Sequence, residues 1–123
     1  MLKGEKRTII QGSQYGDGLN AVAPIHDLVH CVPVGHQGYP QGYKYHQKGG
    51  GTSNAAPMAT ALVALIRSLR PDLDHKQVIK IVEQGADDVD DPGWDKYTGW
   101  GRLSFYRSLK LAQSWPRNTC SRD

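Results

Sequence analysis

At 123 residues with a formal net charge of +3, the chain suits one domain of ordinary size. Its 15 basic and 12 acidic residues are spread along the length without a dense Lys/Arg cluster, which argues against nucleic acid as a partner. The hydrophobic share of 38% is low for a compact enzyme, and 14 glycines with 7 prolines point to many turns.

The opening Met1-Leu2-Lys3-Gly4-Glu5-Lys6-Arg7 has no apolar core behind it, so it does not read as a signal peptide. The longest apolar run falls far short of a membrane span. Residues 1–12 are polar, with Thr8-Ile9-Ile10 as a candidate strand. Ser13 to Gly18 reads as a turn, and Leu19-Asn20-Ala21-Val22-Ala23 as a short strand stopped by Pro24. Leu28 to Val32 is a second strand candidate. Residues 34–51, rich in glycine and tyrosine, read as a loop. Cys31 and Cys120 make no metal-type pair. They read as two unrelated thiols, with a disulfide as the alternative, and so do not fix the compartment.

Asn54 to Leu69 predicts a first helix, apolar on nearly every side and therefore in need of burial all round. Pro71 ends it. A second helix follows, with Asp74 as N-cap, Gln77 completing a capping box, and Gly85 at the stop. Val78, Ile79 and Val82 are its expected apolar stripe. Residues 86–102 read as a second loop, rich in Asp, Gly and Trp. A third helix is expected over Ser104–Ser114, with Phe105, Leu109 and Ala112 on one side. A helix buried on every side needs sheet on one face and other elements on the rest. Two or three short strands and two modest helices are too little to supply that, which predicts part of a larger domain.

The chemistry concentrates at Gly51-Thr52-Ser53-Asn54-Ala55-Ala56-Pro57, just ahead of the apolar run. A serine on a tight turn that feeds a buried helix has its hydroxyl held clear of the helix. Unpaired backbone N–H groups and a partial positive charge lie beside it. Such N–H groups can bind a developing oxyanion. Pro57 is expected in the first turn, where a missing N–H is harmless.

These seven residues resemble the serine signature of the subtilisin-like serine proteases. Two further blocks carry the resemblance: Ser13-Gln14-Tyr15-Gly16 with Leu19 to Pro24, and Asp87-Asp88 through Gly93-Trp94-Asp95 to Gly99-Trp100-Gly101-Arg102-Leu103. The three occur in consistent order over about residues 7–113, with 114–123 as a polar tail. The resemblance implies an α/β fold with a mainly parallel sheet flanked by helices, incomplete in this chain. It also implies endopeptidase chemistry through an Asp–His–Ser triad. By position, Ser53 is the acyl-forming nucleophile, its N–H contributes to the oxyanion hole, and Thr52 supports that hole. The family's "D-[ST]-G" and "H-G-T-H" motifs do not occur here, and the oxyanion-hole asparagine also belongs to the part before the serine. The expectation is thus a C-terminal third of a catalytic domain, inactive alone. Its partners would be a peptide or protein substrate and the N-terminal part of that domain. A degenerate remnant working as an interaction module is the alternative. Family habit points to secretion.

Other residue types that carry chemistry are also present. His26, His30, His36, His46 and His75 are the available bases, with His36 and His46 in the loop before Ser53, but exposed loop histidine is the plainer reading. Asp87, Asp88, Asp90, Asp91 and Asp95 invite a structural calcium, although their spacing fits no fixed ligand pattern and a solvated acidic turn is favoured. No other cofactor is implied. Trp94, Tyr97 and Trp100 are read as turn packing rather than a platform, and Tyr39, Tyr43 and Tyr45 as loop aromatics or a cleft wall.

Overall fold

The computed structural model describes residues 13–25, 28–32, 44–49 and 51–117, the two strand segments by backbone alone. The candidate strand at Thr8–Ile10, with His26, His36, Tyr39, Tyr43 and Cys120, lies outside them. In chain order the elements are β1 (Leu28–Val32), β2 (Lys44–Gly49), α1 (Thr52–Leu69), α2 (His75–Gly85) and α3 (Phe105–Ser114).

β1 and β2 pair antiparallel, with His30 opposite His46, Cys31 opposite Tyr45 and Val32 opposite Lys44. The register shifts between Leu28 and His30. The loop reading of residues 34–51 therefore missed β2. Lys-Tyr-His-Gln-Lys-Gly has no apolar alternation, and only its pairing with β1 makes it a strand. The mainly parallel sheet that the resemblance implies is not formed among the described residues. Leu19–Ala23 contributes one parallel bridge, Val22 to Arg102, instead of a strand. A parallel ladder needs neighbouring strands joined by long crossovers.

Helix α2 starts as its sequence dictates. The Gln77 N–H donates to Asp74 Oδ1 and the Asp74 N–H to Gln77 Oε1, each at 2.9 Å. Its buried residues are Val78, Ile81 and Gly85, at helical spacing. Ile79, expected on the stripe, is 44% exposed. The helix is turned so that Ile81 faces the core. Gly85 is the last helical residue and acts there by its size. A Cβ on it would come within 2.7 Å of the Ser108 Cα, so glycine lets α2 and α3 touch.

Leu62, Ile66, Leu73, Val78, Ile81 and Ala112 form the core, with Phe105, Leu109 and Trp115 packed against it. The α3 face therefore follows the sequence reading. Arg70, just past α1, ties the helices together. Its guanidinium donates to the carbonyls of Ala112 (3.0 Å) and Trp115 (2.8 Å) at the end of α3, and to both carboxylate oxygens of Asp72. A cation is well placed among the last carbonyls of a helix. The same pairing holds the Asp72 carboxyl well below its ordinary range, at about 2.

α1 does not get the all-round burial that its composition demands. Leu62 and Ile66 are its fully buried residues, while Leu65 is 46% and Leu69 41% exposed. α2 and α3 cover one flank of it, and the other is bare among the described residues.

Candidate active site

Ser53 is the second residue of α1, which begins two positions earlier than the sequence predicts. The residue before the helix, Gly51, has φ 128° and ψ 161°, a conformation that side-chain-bearing residues rarely adopt. Among the described residues nothing lies within 4 Å of the position of its missing Cβ, so the glycine is required there for its backbone angle. The Asn54 N–H donates back to the Gly51 carbonyl at 2.9 Å and closes the turn. Among the described residues no side chain caps the helix, and no acidic residue lies in its first turn to offset the partial positive charge of this end. Thr52 and Ser53 are both exposed. Their amides have no intrahelical acceptor, which is the general condition of a first turn.

The early start moves Pro57. It is the sixth residue of α1 and lies inside the helix, not in its first turn. Its ring nitrogen has no proton for the carbonyl of Ser53, four residues back. The Ser53 carbonyl therefore has no N–H four residues on to accept from, and the Ser53 N–H, in the first turn, has no carbonyl four residues back within the helix. The sequence reading took this proline as costless, and the position of the helix start decides otherwise.

His75 is the one histidine whose side chain is described. It opens α2 and is exposed. His30 and His46 stand opposite each other in the hairpin, and His26 and His36 lie outside the described residues.

The other two blocks that resemble the family are stitched together. Gly16 N–H donates to Lys96 O (2.9 Å), Trp94 Nε1 to Leu19 O (3.0 Å) and Trp100 N–H to Asn20 O (2.9 Å). Val22 N–H donates to Gly101 O (2.9 Å), and Leu103 N–H to Val22 O (2.8 Å). One glycine permits this approach and a second lets residues 87–103 close on themselves. A Cβ on Gly99 (φ 63°) would come within 2.6 Å of the Leu19 and Asn20 carbonyl oxygens. On Gly101 (φ 114°) it would come within 2.7 Å of the Asp87 carbonyl carbon. The aromatics of this loop are part of the seam. Tyr97 packs on Tyr15 with ring centroids 5.1 Å apart, and Trp94 spends its indole N–H on Leu19.

Asp87, Asp88 and Asp95 of the acidic run bond to separate partners. Asp87 meets Arg107 at 3.0 Å and Arg102 at 3.4 Å. Asp88 accepts from the Gly93 N–H at 2.7 Å. Asp95 accepts from the N–H groups of Tyr97 (2.7 Å) and Thr98 (3.0 Å) and from the Thr98 hydroxyl, which closes the turn back to Gly99. Among the described residues no group of three or more His, Cys, Asp or Glu side chains is arranged to hold a metal ion. Asp87, Asp88, Asp90 and Asp91 do not converge as a calcium site would require.

Comparison with known proteins addresses what this geometry belongs to. The family model described as "Subtilase family" matches residues 10–101. The chain belongs to the subtilase family. This subtilase chain is 31% identical over 110 residues to fervidolysin of Fervidobacterium pennivorans, covering 80% of this chain and 15% of that protein. It is 29% identical over 123 residues to the cell wall-associated protease of Bacillus subtilis, covering 81% of this chain and 13% of that protein. With the dibasic-processing endoprotease of Schizosaccharomyces pombe it shares 34% identity over 79 residues, covering 54% of this chain and 11% of that one. The crystal structure of fervidolysin, described as a keratinolytic enzyme related to subtilisin, superposes with a TM-score of 0.66 at 31% identity. That superposition covers 80% of this chain and 16% of fervidolysin. The subtilase chain thus shares the fold of one part of a subtilisin-related enzyme, and spans about a sixth of its length.

Proposed function

We propose that this chain contributes the nucleophile-bearing part of a subtilisin-like serine endopeptidase, with Ser53 as the acyl-forming serine. The observation that carries this reading is the mounting of Ser53. It is exposed at the second position of an 18-residue helix, behind a glycine at φ 128°, with no side-chain cap on the amides beside it. In the chemistry proposed, Ser53 Oγ attacks the peptide carbonyl, and the Ser53 N–H, with Thr52 in support, faces the oxyanion. Peptide or protein is the substrate class. The aspartate, histidine and oxyanion asparagine come from a polypeptide outside this sequence, the N-terminal part of the catalytic domain. That part would complete the mainly parallel sheet. Serine chemistry without histidine and aspartate loses on the order of 10⁶ in turnover. Loss of one oxyanion donor removes about 10²–10³ more. The isolated chain is therefore inactive, and no cofactor enters the reaction at Ser53.

Labelling with a fluorophosphonate tests this. The chain alone should stay unlabelled. Co-expressed with the N-terminal portion of a related subtilase domain, it should label at Ser53, and Ser53→Ala should abolish that. Rapid labelling or peptide cleavage by the isolated chain would overturn the dependence on an external base.

A second reading is supported by the bare flank of α1. With Leu65 and Leu69 more than 40% exposed, the helix offers an apolar surface for association. A remnant that worked as an interaction module would keep this surface while tolerating Ser53→Ala without consequence.

A further inference from the structure

The groove between α2 and α3 includes no residue of the Ser53 turn and carries charge of one sign. It is a shallow hollow of about 290 Å³, with Gln84 and Gly85 on the α2 side and Tyr106, Arg107, Lys110 and Leu111 on the α3 side. No carboxylate lines it. The carboxylates nearest along the chain are committed elsewhere. Glu83 accepts from the Asn20 side-chain amide at 2.6 Å, and Asp87 is shared between Arg102 and Arg107. Among the described residues no carboxylate pairs with Lys110. Its Nζ lies 3.4 Å from the Tyr106 hydroxyl and 5.6 Å from the centroid of that ring. Lys80, one turn before Gln84, adds a further cation on the same side of α2.

The groove also ends on backbone acceptors. Gln84 and Gly85 are the last two residues of α2, where a helix leaves its carbonyls without intrahelical N–H partners. That end carries a partial negative charge, which opposes a bare anion. A peptide meets both conditions, because it brings carboxylates for the cations and main-chain N–H groups for the carbonyls. We propose that the α2–α3 groove is a docking site for an acidic peptide segment of a partner protein. Lys110 and Arg107 pair with its carboxylates, and Leu111 with the Tyr106 ring receives an adjoining aliphatic side chain. Arg107 has guanidinium N–H groups beyond those spent on Asp87. Clustered cations are a recurring means of reading acidic segments, and tyrosine and arginine are enriched where proteins meet partners. Tyr106 is 72% exposed and so open to contact. The volume is at the small end for ligand pockets, which suits the side chains of a peptide better than a large cofactor.

Fluorescence anisotropy of a labelled peptide of alternating glutamates and leucines, titrated with the full chain, tests the site. The peptide should bind, and more weakly as sodium chloride is raised. Lys110→Glu should weaken binding roughly tenfold, since a like charge replaces an attraction at the contact. Lys110 is exposed on α3, so the unfolding midpoint of this variant should not move. Lys96→Glu changes the net charge equally but lies outside the groove, and it should bind as the unsubstituted chain does. Equal loss in the two variants would reduce the effect to net charge and overturn the proposal, as would full binding by Lys110→Glu. A peptide with lysine in place of glutamate should not bind. Inorganic phosphate in excess, at matched ionic strength, should leave the acidic peptide in place. Displacement by phosphate would mean a small-anion site and overturn the peptide assignment. On the unsubstituted chain, the acidic peptide should shift the backbone amide resonances of Gly85, Tyr106, Arg107 and Lys110. Shifts confined to other residues also overturn it.

Discussion

The two halves of α1 differ more than their sequences do. Both are apolar, yet the C-terminal half is locked by Leu62 and Ile66 in the core and by Arg70 across to α3, whereas the N-terminal half is largely exposed around Ser53. The C-terminal half has its neighbours on one flank, with Leu65 and Leu69 exposed on the other. The half that carries the serine has a demanding backbone, with a glycine at φ 128° before it and a proline in its second turn, and few neighbours to justify that demand. Strained local geometry persists where surrounding structure holds it. On the proposed function, that end meets its neighbours in the rest of a catalytic domain.

The largest test of this comparison is core truncation. Leu62→Ala or Ile81→Ala should cost about 2–5 kcal/mol by denaturant unfolding, because both side chains are fully buried. Leu65→Ala, on the same helix but 46% exposed, should stay within about 0.5–1 kcal/mol in the isolated chain. Equal costs would mean that the flank of α1 is covered after all. With the N-terminal part of a subtilase domain co-expressed, Leu65→Ala should become markedly more damaging.

Gly51→Ala sharpens the comparison at the other end. It should lower fluorophosphonate labelling of Ser53 in the complemented enzyme roughly tenfold or more, since alanine resists φ 128°, while moving the unfolding midpoint little. Ser108→Ala tests the packed end with the opposite sign. The Ser108 hydroxyl is buried without a hydrogen-bond partner among the described residues. Removing it should leave stability unchanged or raise it by about 1 kcal/mol.

The smallest expected effect is on pH dependence. Asp72 has its carboxyl lowered from 3.8 to about 2, chiefly by the hydrogen bonds from Arg70. Its contribution is therefore fully present above pH 3.8 and is lost as pH falls toward 2. The unfolding midpoint measured across that window should fall less steeply in Asp72→Asn than in the unsubstituted chain. An unchanged slope would detach Arg70 and Asp72 from the stability of the packed end.

Much of this was readable from local chemistry. The Asp74–Gln77 capping box follows from interactions within a few residues, and the Leu28–Val32 strand and the Phe105–Leu109–Ala112 face are marked by their local apolar pattern. The reading failed where the partner is distant in sequence. β2 exists through its pairing with β1, and Ile81 instead of Ile79 faces the core because of how α2 lies on α1 and α3. Pro57 was misplaced because the helix start depends on the conformation of Gly51, a variable that residue identity alone leaves open.

At the site, the sequence by itself determined the Gly-Thr-Ser turn, its apolar helix and the ordered blocks around it. Turn residues and hydrophobic periodicity act over short range, so they are written locally. Only the tertiary structure decided that residues 13–24 and 87–103 are joined, by backbone hydrogen bonds and by the close approach at Gly99. Only it decided, too, that Asp87 meets arginines and Asp88 a backbone amide, and that one flank of α1 is bare among the described residues. Those outcomes rest on which distant groups meet, and burial and hydrogen bonding are settled when they do.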